Sequence, residues 1–297
     1  MFPLVKPSPL PPALAGLGRT AVMGILNVTP DSFSDGGRWL SVEAAVAHAQ
    51  ALVAEGADLI DVGGESTRPG VAQRVPVDEE RRRVLPVVQA LVEQGITVSV
   101  DTMRASLAAE AAAAGATIIN DVSGGLADPD MLAVMAETGL VSVLMHWRGH
   151  SGVMDRADRY TDVVAEVQAE LAARAEAALA AGVAPGAIVL DPGLGFAKVG
   201  DSNWALLAGL DRLARLGFPL LIGASRKRFL ATLERANRAA QDPAQDSAQD
   251  KPADRDAATA ALTALVAAAG VWCVRVHAAA ANFAAARLGE AWRAYHH

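Results

Sequence analysis

The 297-residue sequence has a single cysteine, Cys273, and this scarcity excludes two ways of stabilising a fold. One cysteine cannot form an internal disulfide, and it has no cysteine partners for a structural zinc site. The sequence therefore suits a reducing compartment, and we expect a cytoplasmic protein. Residues 1–18 are broken by prolines and lack the charged-then-apolar order of a signal peptide, which agrees with that expectation.

Positive charge and long hydrophobic runs are also scarce. The chain has 26 basic and 33 acidic side chains, a formal net charge of −7, so we expect neither nucleic acid nor an anionic membrane as a partner. An anionic ligand would need a local cluster of basic side chains. The uncharged stretch at 257–274 approaches membrane length, but it is alanine-rich and interrupted by Gly270. We interpret it as a buried helix followed by a buried strand.

Common nucleotide-binding motifs are missing as well. The sequence contains no Walker A run, and GLGFAKVG at 193–200 follows a candidate strand without the full dinucleotide spacing. A nicotinamide cofactor is therefore not expected.

What the chain does have is a repeated alternation of short β-branched runs with longer alanine-rich helical stretches. Runs that are apolar on both faces are typical of parallel strands covered by helices. Eight strand–helix units in about 250 residues match the size of a (β/α)₈ TIM barrel, an α/β fold in a single domain. A doubly wound open sheet remains the alternative. The predicted strands are 22–27, 58–62, 96–101, 117–121, 141–146, 187–191, 219–223 and 272–277.

The sequence also predicts how the chain is organised around this domain. Residues 1–20 form an N-terminal tail, and 21–297 form the catalytic domain. Within it, 236–255 is polar and repeats the tripeptide AQD, which indicates a disordered insertion in the seventh crossover. The loops at 29–37 and 63–70 combine prolines, paired glycines, hydroxyls and charges, so we interpret them as mobile lids.

Each predicted strand ends in polar residues, which a TIM barrel gathers on one catalytic face. Amides and carboxylates there complement a ring edge with several N–H donors, and a cationic cluster complements a phosphate or pyrophosphate. The amides and carboxylates are Asn27, Asp61, Asp101, Asn120 and Asp191. The cationic cluster is Arg68, Lys227, Arg275 and His277. Strand five adds His146 and Arg148, and strand seven adds Ser225.

Several of these segments are long and unusual, and together they resemble one family. GILNVTPDSFSDGG, IDVGGESTRPG, SVDT, INDVSGG, LDPGLGF, GASRK and VRVH are similar to consecutive signature segments of dihydropteroate synthases. The resemblance implies a (β/α)₈ barrel, usually a homodimer, that acts in folate biosynthesis. It implies condensation of 6-hydroxymethyl-7,8-dihydropterin pyrophosphate with 4-aminobenzoate, giving 7,8-dihydropteroate and pyrophosphate with Mg²⁺.

The resemblance also implies roles for individual residues. Asp35, on the first lid, would lie near the reacting carbon. The pterin would be held by Asp101, Asn120, Asp191 and Lys227, with Asp61 among the substrate-binding residues. The pyrophosphate would be held by Asn27, Arg68, Arg275 and His277, with Asn27 near the magnesium ion. The aminobenzoate site would be lined by Phe33, Thr67, Pro69 and Ser225.

Two positions depart from the family pattern. Ala278 stands where Asp commonly follows the VRVH histidine, which leaves the orientation of His277 in question, and Ala197 stands where Gly commonly precedes Lys198. Two other functions stay open. A pterin-binding methyltransferase would need the ring-binding residues but not the cationic cluster, and a non-catalytic pterin-binding subunit would need no intact catalytic set.

Overall fold

The structure is a computed structural model that describes residues 1–29, 42–65, 75–149, 159–231 and 251–295. All eight predicted strands are present in the described residues, and the prediction differs only at strand ends. β7 is the shortest, with two residues in place of the predicted five. The strands are β1 Ala21–Asn27, β2 Leu59–Gly63, β3 Val98–Asp101, β4 Ile118–Asp121, β5 Val141–Met145, β6 Ile188–Asp191, β7 Leu221–Ile222 and β8 Cys273–Val276.

The strands form one parallel sheet that closes into a barrel. Their order is β6-β5-β4-β3-β2-β1-β8-β7. At the seam, Leu190 N–H in β6 donates to the Pro219 carbonyl just before β7 at 2.9 Å, and Leu190 and Leu220 form a parallel bridge. The fold is therefore the predicted single-domain (β/α)₈ barrel, and the open-sheet alternative is wrong.

Helices follow the strands and cover the outside of the barrel. The segment at 257–274 forms a helix and a strand as predicted, and Gly270, with φ of +112°, separates them. The helices are α1 Pro12–Ala15, α2 Val42–Ala54, α3 Val77–Glu93, α4 Ala105–Ala113, α5 Met131–Thr138, α6 Val163–Ala180, α7 Asp201–Ala208, α8 Leu210–Ala214, α9 Asp256–Ala269 and α10 Ala279–Ala294. In the described part of the chain, no helix is both long and apolar enough to cross a bilayer.

Apolar side chains form two cores, one on each side of the sheet. The larger lies between the strands and the surrounding helices. The smaller fills the barrel interior and includes Met23, Leu59, Ile118 and Trp272. Leu14, from α1 in the N-terminal tail, is buried in this interior core. The tail is thus ordered, and it covers the end of the barrel where the strands begin.

Three other predicted segments lie largely outside the described residues. Of the two proposed lids, 30–37 and 66–70 are not described. Of the proposed insertion, 236–250 is not described. The last five residues of that insertion differ from the prediction, because Pro252–Arg255 forms a 3₁₀ turn that leads directly into α9. Arg255 is buried there and donates to the Arg226 carbonyl at 2.6 Å, which fixes the turn against the chain after β7.

Candidate active site

A cavity of about 790 Å³ opens at the carboxyl ends of the strands. Its position is the one predicted, because parallel strands of a closed barrel all end on the same face. Of the predicted site residues, Asn27, Asn120, Asp191, Ser225, Lys227, Arg275 and His277 line it. The predictions for Phe33, Asp35, Thr67, Arg68 and Pro69 fall outside the described residues.

Arg275 forms the centre of an ion-pair network at the base of this cavity. Its guanidinium donates to Asp61 Oδ2 through Nε and to Asp101 Oδ2 through Nη2, the latter at 2.7 Å. Asp61 is fully buried and also accepts from Ser99 Oγ at 2.6 Å and from Asn120 Nδ2 at 3.0 Å. The structure therefore brings Arg275, predicted for the pyrophosphate, into contact with the carboxylates predicted for the ring.

This crowding changes the titration of Asp101. Burial raises its pKa, Arg275 opposes that effect, and the neighbouring Asp61 and Glu80 carboxylates add to it. The Arg275 cation favours the ionised form of Asp101. Arg275 thus helps Asp101 to accept hydrogen bonds as a carboxylate.

Asp191 and Lys227 attract each other electrostatically beside a tight loop. Asp191 Oδ1 accepts from the Gly193 N–H at 2.7 Å. Lys227 Nζ donates to the Leu194 carbonyl and lies 4.5 Å from the centre of the Phe196 ring. Burial lowers the pKa of Lys227 to about 8, against the attraction of Asp191. The lysine is therefore a cation that can exchange its proton near neutral pH.

His277 is oriented by Ser225, which answers the question raised by Ala278. The His277 backbone N–H donates to Ser225 Oγ at 3.1 Å, and Ser225 Oγ lies 3.0 Å from His277 Nδ1. The hydroxyl has a proton to donate and a second lone pair, so it can pair with Nδ1 in either tautomer of the neutral ring. The orientation of His277 requires no aspartate at position 278.

Ala278 has a different consequence, because it is the N-cap of α10. Its φ and ψ are −110° and 98°, and no side chain caps the helix. We expect Ala278→Asp to raise the free energy of unfolding by about 0.5–2 kcal/mol, since its carboxylate would accept from free N–H groups of the first turn. Urea denaturation measures this. Ala280→Asp is the control, because it adds the same charge in the same turn without the capping geometry. Equal gains from both variants would contradict the capping explanation.

Ala197, the second departure, has a backbone conformation that favours glycine. Its φ is +49°, in the left-handed region that glycine adopts without cost and alanine adopts at about 1 kcal/mol. Its carbonyl accepts from Tyr160 Oη at 3.1 Å. The alanine is therefore accommodated, with some backbone strain.

Two side chains at or behind the cavity wall were not assigned a role from the sequence. Lys198 lines the cavity and contacts His146, which directly follows β5. His146 was noted as a polar strand end, which was the signal available. Lys198 follows the LDPGLGF segment, and nothing in its sequence context indicates that its side chain points inward.

Comparison with known proteins places these observations in a family. A family model described as pterin binding enzyme matches residues 23–277. The dihydropteroate synthase of Mycobacterium leprae is 52% identical over 277 residues, which cover 93% of this chain and 94% of the relative. A crystal structure of the Xanthomonas albilineans dihydropteroate synthase with 4-aminobenzoic acid has a TM-score of 0.81 and 46% identity, covering 94% of this chain and 93% of that one. The same enzyme in complex with 7,8-dihydropteroate has a TM-score of 0.78 and 43% identity, covering 94% of each chain.

Proposed function

Because the chain belongs to the dihydropteroate synthase family of pterin-binding enzymes, we propose that it condenses 6-hydroxymethyl-7,8-dihydropterin pyrophosphate with 4-aminobenzoate. The products are 7,8-dihydropteroate and pyrophosphate. The observation that carries the proposal is the position of Arg275. It joins two carboxylates suited to a donor-rich ring and lines the same cavity as His277, which suits an anionic tail.

The ring is proposed to bind over the ends of β2, β3, β4 and β6. Asp101, Asn120 and Asp191, with Asp61 behind them, present oxygens that accept from ring N–H groups. Lys227 lies beside Asp191 and would donate to a ring acceptor. A ring that presents both donors and acceptors along one edge would satisfy this set.

The reaction is proposed to begin with departure of pyrophosphate. The bond between the methylene carbon and the oxygen breaks, and its electron pair leaves with the pyrophosphate, whose charge Arg275 and His277 hold. The electron-rich dihydropterin delocalises the positive charge left on the methylene carbon, and Asp35 is proposed to stabilise it. The aminobenzoate nitrogen then forms the new bond with its lone pair and releases one proton. A strong base gains little here, because the arylamine is already uncharged at neutral pH.

A magnesium ion is proposed to accompany the pyrophosphate. Asn27, at the end of β1, offers an amide oxygen to the cavity, and the described residues contain no cluster of three His, Cys, Asp or Glu side chains that could hold a metal. This donor set fits Mg²⁺, which commonly takes one or two protein oxygens and fills its shell with phosphate oxygens and water. When bound, the ion would neutralise charge on the leaving group.

The magnesium proposal has a direct test. Calorimetry should detect tighter pyrophosphate binding with Mg²⁺ than with EDTA, and Asn27→Leu should reduce that difference. Turnover should stop in EDTA and return with added Mg²⁺. Equal pyrophosphate affinity with and without the metal would contradict the proposal.

Aminobenzoate is proposed to bind last, between Ser225 and the residues Phe33, Thr67 and Pro69 of the two loops. Ser225 lies beside His277 on the wall shared with the leaving-group site. Binding should therefore be ordered, with the pterin first. Firm binding of aminobenzoate without pterin or pyrophosphate would contradict this order.

One assay tests the function. The protein is incubated with the pterin pyrophosphate, radiolabelled 4-aminobenzoate and Mg²⁺, and labelled dihydropteroate is expected. Methyl transfer to a corrinoid instead would favour the methyltransferase alternative, and pterin binding without product would favour the non-catalytic one.

Isotope effects at the methylene group test the order in which bonds break and form. We expect a substantial secondary hydrogen effect, and values typical of a tight displacement would contradict early bond breaking.

The protein is further proposed to be a homodimer that pairs through α9 and α10. These helices meet where Gly289 packs against Ala264 and Ala267, and they expose Leu265 and Leu288 at 69% and 61%. Large exposed apolar side chains on adjacent helices favour self-association. Sedimentation should show a dimer that the double variant Leu265→Glu, Leu288→Glu dissociates. Leu179→Glu on α6 is the control, and an unchanged mass in the double variant would contradict this interface.

The compartment is proposed to be the cytoplasm. Cys273 is a buried free thiol inside the barrel, and burial raises its pKa well above the usual value. A single unreactive thiol cannot form an internal disulfide, so an oxidising compartment would not stabilise the fold.

A further inference from the structure

Lys198 is a buried lysine on the cavity wall, and its side chain is fully occupied within the protein. The residue is 3% exposed, and Nζ lies 2.9 Å from His146 Nδ1, 3.1 Å from the Gly193 carbonyl and 2.8 Å from the Phe196 carbonyl. An ammonium group has three N–H donors, so these three acceptors match it one for one. Lys198 therefore keeps no N–H to donate to a ligand in the cavity.

His146 has the protonation state that this arrangement requires. Burial lowers its pKa to about 4, so its ring is neutral at physiological pH. Nε2 lies 2.9 Å from Glu170 Oε2 and must carry the ring proton to donate to it, which leaves the Nδ1 lone pair to accept from Lys198. Burial lowers the pKa of Lys198 to about 7, and the Asp191 carboxylate opposes that effect. Hydrogen-bond acceptors around an ammonium group favour its charged form. Glu170 also binds Arg148, which anchors the far end of the chain of contacts.

The two carbonyls that Lys198 binds belong to the loop that holds Lys227. Within residues 193–196, the Leu194 carbonyl accepts from Lys227 Nζ, and the Phe196 ring lies 4.5 Å from that atom. Gly195 has φ of +74°, which strains any other residue, and a Cβ there would lie 3.0 Å from Lys227 Cδ, so glycine suits this close approach. Lys198 thus contacts the loop from behind, and Lys227 contacts the same loop from the cavity.

We propose that Lys198 is a positioning residue for the pterin site, which fixes the 193–196 loop and, through Leu194 and Phe196, the position of the Lys227 ammonium group. The proposal rests on the proposed function, because it takes the ligand of Lys227 to be a pterin ring. Asn203 supports the same loop by accepting from the Gly195 N–H at 2.7 Å, whereas Lys198 holds the carbonyls of Gly193 and Phe196.

The test is a double-mutant cycle read by calorimetry with 6-hydroxymethylpterin as the probe. Lys198→Met has a similar length and no donors, and we expect it to weaken pterin binding about tenfold, within the range of coupling between residues in one network. In the Lys227→Met background the same change should have little effect, because the group it positions is gone. Lys198→Gln, which offers two N–H donors, should lie between wild type and Lys198→Met. If Lys198→Met fails to fold, the cycle is run with Lys198→Gln.

The control is Lys6→Met. Lys6 also binds two backbone carbonyls, those of Ala15 and Leu17, but at the opposite end of the barrel. Its removal should leave pterin affinity unchanged. Unchanged affinity in Lys198→Met, or an equal loss with and without Lys227, would overturn the positioning role. Because binding is measured without turnover, a wild-type protein that binds pterin but makes no product would refute the proposed function and leave this test intact.

Discussion

Arg275→Met is expected to lower turnover by about 100- to 1,000-fold, the range found when one electrostatic stabiliser of a transition state is removed. Arg275 donates to both Asp61 and Asp101, and Asp61 is fully buried. Without the guanidinium, two carboxylates face each other with no cation between them, and the leaving group loses its main positive partner. The loss should therefore appear in kcat as well as in kcat/KM, which steady-state kinetics measures.

The same variant should change the dependence on pH. Arg275 lowers the pKa of Asp101, so its removal raises that pKa further, and the rising limb of kcat/KM should move to higher pH. A carboxyl group with a raised pKa in the native state binds more protons than in the unfolded state. The variant should therefore lose stability as pH rises from the unfolded-state pKa through the native one. Near pH 8, breaking the buried pair should cost ~3 kcal/mol.

Arg19→Met is the matched control for Arg275. Arg19 also forms a two-pronged ion pair, with Asp58 at 2.7 Å for both contacts, but it lies where the strands begin. We expect it to lose stability and to keep the kcat of the wild type. Equal effects of the two variants on kcat, or a pH profile unchanged by Arg275→Met, would show that Arg275 acts only on stability.

Asp101→Asn is expected to weaken pterin binding by roughly 5- to 150-fold, which corresponds to about 1–3 kcal/mol for a buried hydrogen-bonding group left unpaired. The amide would present a donor where the carboxylate accepts, either to Arg275 or to the ring. Because Asp101 is buried, water cannot replace the lost contact. Titration calorimetry with 6-hydroxymethylpterin measures the change.

Asp121→Asn separates this effect from a general loss of buried charge. Asp121 also ends a strand and is fully buried, and burial raises its pKa as well. Its oxygens, however, accept from Ser123 and Gly125 within its own turn. This variant should lower stability and leave pterin affinity unchanged. If Asp101→Asn binds pterin as tightly as the wild type, Asp101 does not contact the ring.

Much of the fold could be predicted because it depends on local patterns. Short β-branched runs between helical stretches located the strands of the barrel, and polar residues at their ends located the catalytic face. Errors were confined to places where neighbours decide the outcome. β7 pairs over only two residues, Leu221 and Ile222, since Pro219 cannot donate to a neighbouring strand and Gly223 follows. Residues 251–255 are polar in sequence but ordered, because Arg255 binds the Arg226 carbonyl.

The sequence predicted which residues form the candidate site, but it did not predict which of them contact one another. By their side-chain type, the predicted residues divide into oxygens that could bind a ring and cations that could bind an anion. The structure instead joins the two groups through Arg275, which lies 214 residues from Asp61 along the chain. The sequence alone does not show that two residues so far apart along the chain are in contact, since the contact requires β8 to pair with β1 and β1 with β2.

The amino-acid sequence by itself determined that this protein is built of eight strand–helix units whose strands end in polar residues, because hydrophobic period and strand-end chemistry act over a few residues. Only the tertiary structure decided that the sheet closes between Leu190 and Pro219, that Ser225 orients His277, and that Lys198 turns inward to His146. The physical reason is the separation along the chain between the groups that interact. Closure, hydrogen-bond partners and burial depend on groups brought together by the whole fold, and burial in turn determines which of these groups are charged.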